Sequence, residues 1–406
     1  MSQGITVTPC TSVDEMMAAL GAINHYFGSH TTSEDAERWS RIHEVGRMLA
    51  AKEDGAIVGG AGAFNFELTV PGGMVRAAGV TVIGVLPTHR RRGILRAMMR
   101  AQLDDVHERG EPVAYLWCSE ETIYGRYGYG MASLTGEIDL PRTGTAFAQP
   151  FESRMQVRIL EEGDAYEPIA QVYERARPQY PGMFSRTEDW WKYRRLADPE
   201  SRRRGGGVMN RVVVTCDGKP EGYALYRLNQ SMEGGVSTGS VVVIEAVGAT
   251  PEATRAIWRF LLDIDWMARI KAGQLPVDHP LFLLLARPRL MRFQVTDALW
   301  VRLVDVPAAL AARAIGSGEA VVLEVADAFC PWNEGRYRVA NGGVERTSAA
   351  ADLRLEVNSL GSVHLDGFSF AQLARAGRVE ELRPGAAGRA DALFRWDRAP
   401  WCPEIF

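Results

Sequence analysis

Alternating and periodic apolar positions in the first third of the chain predict a mixture of strands and helices. Short or alternating apolar runs favour strands, whereas apolar residues three to four positions apart favour helices. The predicted strands are ITVTPC, a hairpin over RMLAAKEDGAIVGGAGAFNFEL that turns at EDG, MVRAAGVTVIGVLP and VAYLWC. The predicted helices are SVDEMMAALGAI with Thr11 or Ser12 as its cap, DAERWSRIHEVG, and GILRAMMRAQLDDVHERG ending at Gly110.

The middle of the chain repeats this order of elements after a predicted linker, Pro141–Pro150. MQVRIL is typical of a strand, YEPIAQVYERA and TEDWWKYRRL of helices, and RVVVTCDGKPEGYALYRLN of a hairpin that turns at DGK. The strand SVVVIEAVGA and the helix PEATRAIWRFLLDIDWM follow. The shared order of strand, two helices, hairpin, strand and helix predicts a duplicated architecture.

The pattern changes again from about Leu299. LWVRLVDVPAALAARA predicts a strand followed by a helix, and AVVLEV, GRYRVA, DLRLEV and SVHLDG predict short strands. The helices SFAQLARAG and GAAGRADALF complete this region. We therefore predict an α/β (α+β) chain with domains over 1–145, 151–296 and 297–406.

Composition and charge exclude several classes of protein. The chain has 406 residues, 46% hydrophobic and 24% charged, with a net charge of −4. These values predict a soluble globular protein without a general attraction to nucleic acid or to an anionic membrane. The five cysteines are odd in number and scattered, so neither a disulfide framework nor a metal site is predicted. The first residues do not resemble a signal peptide, and the chain lacks an apolar run of ~18 residues. We expect a cytoplasmic protein that does not contact a membrane.

The segment PTHRRRGILRAMM carries the first chemical signal. A strand that ends near Val85, a basic turn, Gly93 and then a helix form an anion-binding arrangement, because the free N–H groups of the first helical turn point outward. A glycine lets the backbone approach a phosphate closely, and neighbouring arginines add charge-assisted hydrogen bonds. A solvated basic turn is the alternative interpretation. The helix that follows carries as many acids as arginines in its middle, which disfavours a nucleic-acid contact.

A second signal lies in SEETIYGRYGYG. Tyr127 and Tyr129 are predicted to be core aromatic residues in a glycine-rich turn. Tyr124 instead follows a short helix directly after a strand, which places it near the strand end beside the basic turn. A phenol with a pKa of about 10 can return a proton to a departing thiolate, since the corresponding thiol has a pKa of about 8–9.

Together, VIGVLPTHRRRGILRAMM and WCSEETIYGRYGYG resemble the acetyl-CoA-binding core of the GNAT acetyltransferases. More narrowly, they resemble the enhanced intracellular survival (Eis) family of aminoglycoside N-acetyltransferases. The resemblance extends over the whole chain and implies two tandem GNAT acetyltransferase-like domains, the second without activity, followed by a sterol-carrier-like domain whose C-terminal tail reaches the active site. It also implies acetyl-CoA as co-substrate, direct transfer to an amine in a ternary complex, no metal, and a homohexamer.

The resemblance also implies roles for individual residues. The backbone of Ile83, Gly84 and Val85 would bond the pantetheine arm. The pyrophosphate would be held at Arg90, Arg91, Arg92, Gly93, Ile94, Leu95 and Arg96, and Ser119 and Glu120 would lie at the adjoining strand end. Tyr124 would be the general acid, and the terminal carboxylate of Phe406 the general base. An α-carboxylate has an ordinary pKa of about 3.3–3.7, so it is a weak base unless burial raises that value. Leu95 departs from the small residue that the superfamily has in this position.

The acceptor is expected to be an aminoglycoside or a similar polyamine or lysine amine. A polycation needs acidic and aromatic walls, and the predicted substrate contacts are Trp39, Tyr26 and Glu404. Trp39 matches an aromatic residue at the family's substrate cleft. Tyr26 stands near a position where the family has an acid, and Ile405 replaces the acid before the terminal Phe406.

The second GNAT-like copy tests the assignment of the first. Its segment EAVGATPEATRAIWRF has no glycine at the start of the helix, and Glu252 in the first turn would repel a pyrophosphate. We therefore predict that this copy is structural. Two other functions stay open from the sequence: a lipid or hydrophobe carrier that uses the last domain, and an interaction scaffold that retains a vestigial acetyltransferase core.

Overall fold

The computed structural model describes residues 4–28, 32–203 and 205–406. The chain divides into two units of dense contacts. The first unit comprises Met1–Ser133, Ala298–Asp397 and Phe406, and the second comprises Leu134–Asp297 and Arg398–Ile405. Each unit has its own central sheet.

The strands in chain order are β1 (Ile5–Pro9), β2 (Met48–Glu53), β3 (Ala56–Val70), β4 (Gly73–Val85), β5 (Val113–Trp117), β6 (Gly130–Met131), β7 (Leu134–Pro141), β8 (Gln156–Leu160), β9 (Met209–Cys216), β10 (Lys219–Asn229), β11 (Met232–Glu233), β12 (Val236–Ser237), β13 (Ser240–Gly248), β14 (Arg269–Leu275), β15 (Gln294–Asp297), β16 (Leu299–Leu303), β17 (Val321–Ala326), β18 (Gly335–Ala340), β19 (Gly343–Arg346), β20 (Leu353–Glu356) and β21 (Val379–Glu381). The helices are α1 (Val13–Asn24), α2 (Ser33–Ile42), α3 (Ile94–Glu108), α4 (Glu121–Tyr124), α5 (Tyr166–Ala176), α6 (Glu188–Trp190), α7 (Glu200–Arg203), α8 (Pro251–Asp263), α9 (Leu281–Leu284), α10 (Val306–Ala311), α11 (Val357–His364), α12 (Phe370–Arg375) and α13 (Ala386–Phe394).

The first unit is built around a sheet in the order β1-β2-β3-β4-β5-β16-β6. Strands β1 to β4 form an antiparallel meander, and β5 lies parallel to β4. Helices α1 and α3 cover opposite faces of β3. A Cβ at Gly60 would lie 2.4 Å from the carbonyl oxygen of Ala19 on α1, whereas one at Gly59 would meet Met98 on α3. The glycines therefore let both helices pack closely on this strand.

The predicted helices of this region are stabilised by caps and by buried apolar faces. The Ser12 hydroxyl accepts a hydrogen bond from the backbone N–H of Glu15 and caps α1. Thr32 and Asp35 form a reciprocal capping box at the start of α2. The periodic apolar residues of α3 are buried against the sheet: Ile94, Met98, Met99, Leu103 and Val106. The amphipathic period therefore identified α3 correctly.

The remaining part of the first unit is an α+β region with a sheet in the order β19-β18-β17-β20-β21. The expectation of a strand over SVHLDG is wrong, because Ser362–His364 is the last turn of α11. Nearly every residue of α11 is buried, and a Cβ at Gly361 would lie 2.3 Å from the carbonyl oxygen of Val301. A helix buried on all sides has no amphipathic period by which to recognise it.

The second unit has a sheet in the order β15-β7-β14-β13-β10-β9-β8, with β13 and β14 parallel. Strand β8, helices α5 and α6, the β9–β10 hairpin, β13 and α8 occur in the predicted order, with α7 before β9 and the short strands β11 and β12 before β13. Strand β7 was not predicted, and it belongs to this second sheet. Strand β16, which the sequence analysis grouped with the last domain, pairs with β5 in the first sheet.

Among the helices of the described residues, none combines the length and apolar character needed to cross a bilayer.

Candidate functional site

The second half of β4 is the feature around which the candidate site is built. The parallel ladder between β4 and β5 covers only Ala77–Gly79 opposite Val113–Tyr115, so in the described structure β5 leaves this edge of β4 free after Gly79. The β3–β4 register shifts next to Val82, whose φ is 47°. A β-branched residue in the left-handed region stores backbone strain of about 1–3 kcal/mol, and such strain concentrates at functional sites. This bulge and open edge include the predicted positions Ile83, Gly84 and Val85.

The basic turn after β4 leads into an open helix N-terminus. Arg91 and Gly93 both have left-handed backbones, with φ of 62° and 83°. Gly93 occupies the N-cap of α3, and no side chain caps this helix within the described residues. The first bond within the helix runs from the N–H of Ala97 to the carbonyl of Gly93 at 3.0 Å. The N–H groups of Ile94, Leu95 and Arg96 therefore precede the helical ladder and can donate hydrogen bonds to an anion.

Gly93 serves this turn by its conformation. A Cβ at Gly93 would meet no atom within 4 Å, so the position is not crowded by the protein itself. The positive φ is the reason a glycine fits here, because other L-residues pay steric energy in this region.

The arginines of the turn divide into free and paired side chains. Arg90 and Arg91 are exposed, and neither has an ion pair among the residues that the structure describes. Arg92 instead donates to Glu53 at 2.9 Å, and this hydrogen bond holds the pKa of the Glu53 carboxyl below its ordinary value. Arg96 lies over the ring of Phe329, with 5.4 Å between guanidinium carbon and ring centroid. A groove of about 730 Å³ beside α3 includes Arg92, Arg96 and Phe329.

Tyr124 lies at the end of the adjoining strand–helix connection. Ser119 and Glu120 are exposed residues after β5, and Tyr124 ends the short helix α4. The side chain is 7% exposed and belongs to a hydrophobic cluster that includes Ala78, Val80, Ile83 and Leu95. Burial raises the pKa of the Tyr124 phenol well above its ordinary value, and the neighbouring Cys118 and Glu120 raise it further. The phenol is therefore protonated at neutral pH.

The prediction that Tyr127 and Tyr129 are core residues is confirmed, since they are 3% and 0% exposed.

The last residue of the chain packs on the same part of β4. The Phe406 ring meets the edges of Phe66 and Tyr115, with centroids 5.4 Å and 5.0 Å apart. The Thr81 hydroxyl donates to a terminal oxygen of Phe406 at 3.2 Å, and a Cβ at Gly79 would lie 3.3 Å from the Phe406 ring. Because side chains alternate along a strand, Gly79 and Thr81 face away from Ala78 and Val80. Tyr124 and Phe406 therefore reach β4 from opposite faces, where β5 diverges.

Two of the three predicted acceptor contacts are also in this region. Trp39 on α2 is half-buried and stacks on Phe64, with ring centroids 5.6 Å apart and planes at 23°. The ring centroid of Phe64 in turn lies 5.4 Å from that of Phe66. Tyr26 is 45% exposed, and its hydroxyl donates to the carbonyl oxygen of Val85 at 2.7 Å.

Glu404, the third predicted acceptor contact, lies in a buried group of ion pairs. It belongs to the second unit and is 5% exposed. Its carboxylate accepts a hydrogen bond from the indole N–H of Trp190 at 3.0 Å and pairs with Arg186 at 2.9 Å and Arg194 at 3.4 Å. These partners anchor the carboxylate within the second unit, and its contact with the substrate stays a prediction.

Sequence reasoning did not identify Thr81 or His43 as neighbours of this site. Thr81 carried a weak signal, since it is a polar residue inside a long apolar strand. His43 carried none, because a single histidine at a helix end has no distinctive pattern. The centroid of the His43 ring lies 5.0 Å from that of Phe64 and 5.6 Å from that of Trp39. Burial lowers the pKa of His43 to about 4.

Comparison with known families agrees with this architecture. Residues 11–132 and 182–303 each match a family model described as an acetyltransferase (GNAT) domain. Residues 306–403 match one described as a sterol carrier protein domain.

Individual proteins resemble the chain over nearly its whole length. An uncharacterized N-acetyltransferase of Streptomyces avermitilis is 42% identical and covers 95% of each chain. N-acetyltransferase Eis of Mycobacterium tuberculosis is 33% identical, covering 97% of this chain and 98% of its own. The crystal structure of Eis1 from Mycobacterium abscessus superposes with a TM-score of 0.86 at 35% identity, covering 99% of this chain and 100% of the other. The chain is an N-acetyltransferase and belongs to the Eis family, with two GNAT domains followed by a sterol-carrier-like domain.

Proposed function

We propose that the protein transfers an acetyl group from acetyl-CoA to a primary amine, by direct attack of the amine within a ternary complex. Acetyl-CoA supplies an acetyl group that is activated as a thioester. The residues around the second half of β4 bind this co-substrate, orient it and exchange protons with the reacting groups.

The open edge of β4 and the uncapped N-terminus of α3 suit a long anionic thioester. Backbone groups of Ile83, Gly84 and Val85 lie on the strand segment that β5 leaves free, so they can bond an extended arm. The carbonyl of Val85 accepts from the Tyr26 hydroxyl, and its second lone pair can accept from a ligand amide. The uncapped N–H groups after Gly93, with Arg90 and Arg91, suit a pyrophosphate.

Tyr124 and Phe406 supply the proton transfers. A new C–N bond forms as the amine nitrogen attacks the thioester carbonyl carbon, and the C–S bond breaks. The terminal carboxylate of Phe406 takes the proton that the amine loses, through one water, and the Tyr124 phenol gives its proton to the departing sulfur. Because Tyr124 is protonated at neutral pH, it is prepared to act as the acid. Thr81 positions the terminal carboxylate by its hydrogen bond.

The position of Phe406 is the observation that carries the proposal. Phe406 is 8% exposed and packs on Gly79 and Thr81 at the level where β4 and β5 part. A carboxylate fixed at that level has a clear chemical use in an acetyl transfer.

The test is a thiol-release assay with acetyl-CoA and a panel of amines, applied to the parent and to a variant with one glycine appended after Phe406. The added residue displaces the carboxylate from Thr81. We expect turnover to fall by about 100-fold, within the range that general acid–base catalysis contributes. The dissociation constant of acetyl-CoA, measured by calorimetry, should stay the same.

Phe406→Leu provides the matched control, since it retains both a terminal carboxylate and an apolar side chain. It should keep most of the turnover that the extended variant loses. Equal turnover in the parent and in the extended variant would remove Phe406 from the mechanism.

The acceptor class suggested by the resemblance is an aminoglycoside, a polyamine or a lysine amine. Support for that class depends on acidic residues near the site.

A further inference from the structure

The turn that carries Tyr124 is closed by its own backbone, and we call residues 124–130 the tyrosine turn. The N–H of Gly128 donates to the carbonyl oxygen of Gly125 at 3.1 Å, and the N–H of Tyr129 donates to that of Tyr124 at 3.3 Å. The rings of Tyr124 and Tyr129 pack edge to face, with centroids 6.0 Å apart. The position of the Tyr124 phenol therefore depends on the conformation of this turn.

Gly128 is the residue of the tyrosine turn that a buried arginine contacts. Its backbone is left-handed, with a φ of 86°. A Cβ at Gly128 would lie 2.7 Å from Nη1 of Arg302, so the guanidinium group lies against the side of this residue from which a side chain would project. Arg302 is on β16 and is 0% exposed. Gly128 therefore provides both the positive φ and the space that this contact requires.

Asp327 holds the guanidinium group of Arg302 in this position. Nη2 donates to both carboxylate oxygens of Asp327, at 2.8 and 2.7 Å, and Asp327 is 1% exposed. The carboxylate also accepts from the backbone N–H of Cys330 at 3.0 Å and from the side-chain amide of Asn333 at 2.9 Å. Because each carboxylate oxygen accepts two hydrogen bonds, the buried pair has little freedom to move.

Stability alone does not explain a charge at the position of Arg302. Its Nε and Nη1 have no hydrogen-bond partner in the part of the chain that the structure describes. Unsatisfied buried donors destabilise the folded state, and a buried ion pair often stabilises it no better than apolar side chains of similar volume do. The planar, rigid guanidinium group instead gives Gly128 a flat surface in a fixed position.

The loop that contains Asp327 contacts both halves of the candidate site, and we call residues 327–333 the clamp loop. The Phe329 ring packs edge to face on the ring of Tyr127, with centroids 5.1 Å apart. The guanidinium carbons of Arg96 and Arg100 lie 5.4 and 4.7 Å from the centroid of the Phe329 ring. The clamp loop therefore touches the tyrosine turn and the first two turns of α3, whose N-terminus is proposed to bind the pyrophosphate.

Helix α11 restrains the tyrosine turn as well. A Cβ at Gly130 would lie 1.8 Å from the carbonyl oxygen of Asn358, and the side-chain amide of Asn358 donates to the carbonyl oxygen of Gly125 at 3.5 Å. Both α11 and the clamp loop lie within residues 306–403, the sterol-carrier-like part of the chain, and in the same unit as the tyrosine turn. This part of the chain therefore restrains the tyrosine turn both directly and through Arg302.

From these contacts we infer that Asp327 and Arg302 are positioning residues for the acetyl transfer, which fix the tyrosine turn so that the Tyr124 phenol is held beside the departing sulfur. The inference rests on the proposed function, in which Tyr124 is the acid. Neither residue touches the reacting atoms, and both act through Gly128. Because a displacement of about 1 Å can cost about 100-fold in rate, a small change in the turn is sufficient for a large effect. The sterol-carrier-like domain thereby takes part in catalysis.

The first test removes the ion pair without leaving a buried charge. The double variant Arg302→Met with Asp327→Asn keeps side chains of similar length and removes both charges, so it should fold. We expect kcat in the thiol-release assay to fall by at least about 10-fold. The dissociation constant of acetyl-CoA, measured by calorimetry, should change by less than about 2-fold, because the groups proposed to bind the pyrophosphate are unchanged.

Combination with Tyr124→Phe distinguishes positioning from a general structural role. The Tyr124→Phe protein has no phenol to position, so adding Arg302→Met and Asp327→Asn to it should lower kcat by no more than about 2-fold. A merely structural role gives the same fold-loss in both backgrounds, and that result would overturn the inference while leaving Tyr124 as the acid. Full turnover of Tyr124→Phe would instead remove the acid, and this inference with it.

Arg227→Met with Asp198→Asn is the matched control. These two side chains also form an ion pair at 2.7 Å, with 9% and 8% of their surfaces exposed, and Asp198 accepts from the backbone N–H of Met209 at 2.9 Å. The pair belongs to the second unit and has no role in the proposed site. Its variant should keep the kcat of the parent, even with reduced stability. A loss of kcat equal to that of the Arg302 and Asp327 variant would contradict the inference.

Hydrogen exchange measures the tyrosine turn itself, independently of turnover. The amide of Tyr129 is bonded to the carbonyl of Tyr124, so its exchange rate reports whether the turn stays closed. In the Arg302→Met and Asp327→Asn variant, a peptide covering 124–130 should exchange at least about 5-fold faster than in the parent and in the control. Unchanged exchange overturns the inference, even in a protein that releases no CoA with any amine. Absence of CoA release with faster exchange contradicts the proposed function but retains the restraint on the turn.

Discussion

Tyr124 combines a buried phenol with a position beside the gap between β4 and β5. We predict that Tyr124→Phe lowers turnover by about 100-fold, because the variant cannot protonate the leaving sulfur. The affinity for acetyl-CoA should not change, since the ring and its packing remain. Thiol release and calorimetry measure the two effects separately. Tyr127→Phe, a change in a core phenol of the same turn, should leave turnover close to that of the parent.

The pH dependence gives a second check on the same residue. Burial raises the pKa of Tyr124, so the phenol keeps its proton through pH 7 to 9 and should not cause an alkaline fall in turnover there. Full turnover of Tyr124→Phe across this pH range would contradict its assignment as the acid.

His43 leads to a prediction about stability. Its folded pKa is about 4 and its ordinary value is 6.5, so as the pH falls the unfolded chain binds a proton before the folded chain does. The stabilisation is fully present above about pH 6.5 and is lost as the pH falls toward 4, at no more than about 1.4 kcal/mol per pH unit for one proton. Urea unfolding between pH 7 and 4.5 should show a shallower acid decline in His43→Gln than in the parent. His25→Gln, a change at an exposed histidine, should keep the parental slope.

At the scale of elements, the turn between β4 and α3 separates arginines that look equivalent in the sequence. Arg91 is exposed without an ion pair among the described residues, whereas Glu53 holds Arg92. We predict that Arg91→Ala weakens acetyl-CoA binding by about 10-fold, and that Arg92→Ala weakens it by less than about 3-fold. Calorimetric titrations of acetyl-CoA at two salt concentrations test this prediction. The difference in affinity between Arg91→Ala and the parent should be smaller at the higher salt concentration. Equal losses in the two variants would show that Arg92 leaves Glu53 to contact the ligand.

Elements with a one-sided apolar pattern were predictable, and elements defined by distant partners were not. Helix α3 and the long strand β4 followed from local period, because each buries one face or alternates. Helix α11 is buried all round, so its sequence lacks that period. Strand β16 pairs with β5 across about 180 residues of sequence, and no local property of LWVRL specifies that partner.

The candidate site was predictable in the same uneven way. The anion-binding turn and Tyr124 lie within short motifs, so their positions followed from a strand–turn–helix order. The pairing of Arg92 with Glu53 and of Glu404 with Arg186 joins residues far apart in the sequence. Acidic and basic residues occur throughout this chain, and the sequence alone does not indicate which of them form ion pairs.

At the scale of the whole molecule, the C-terminal tail links the second unit to the last residue of the first. Residues Arg398–Ile405 belong to the second unit and Phe406 to the first. Within the second unit, Arg186 lies between the carboxylates of Glu404 and Glu245, which it meets at 2.9 and 2.7 Å. Arg194 also donates to the carbonyl oxygen of Ile405 at 2.7 Å. These contacts anchor the segment that directly precedes Phe406, the proposed base.

The final prediction concerns Glu404. Glu404→Gln keeps a hydrogen-bond acceptor for Trp190 but removes the charge that pairs with Arg186 and Arg194, which leaves buried guanidinium groups with less compensation. We expect the unfolding free energy to fall by about 1–3 kcal/mol. The tail should become more mobile, so carboxypeptidase should release Phe406 faster and turnover should fall, while acetyl-CoA binding is retained.

Mass spectrometry of timed digests and the thiol-release assay measure these two consequences on the same preparation. Ile405→Ala is the matched control, because Ile405 is 50% exposed and its change leaves the ion pairs of Glu404 intact. It should therefore resemble the parent in stability and in digestion rate. If Glu404→Gln loses stability but releases Phe406 no faster than the parent, Glu404 stabilises only the second unit, and the proposed base must be held at Thr81 by the packing of Phe66 and Tyr115 alone.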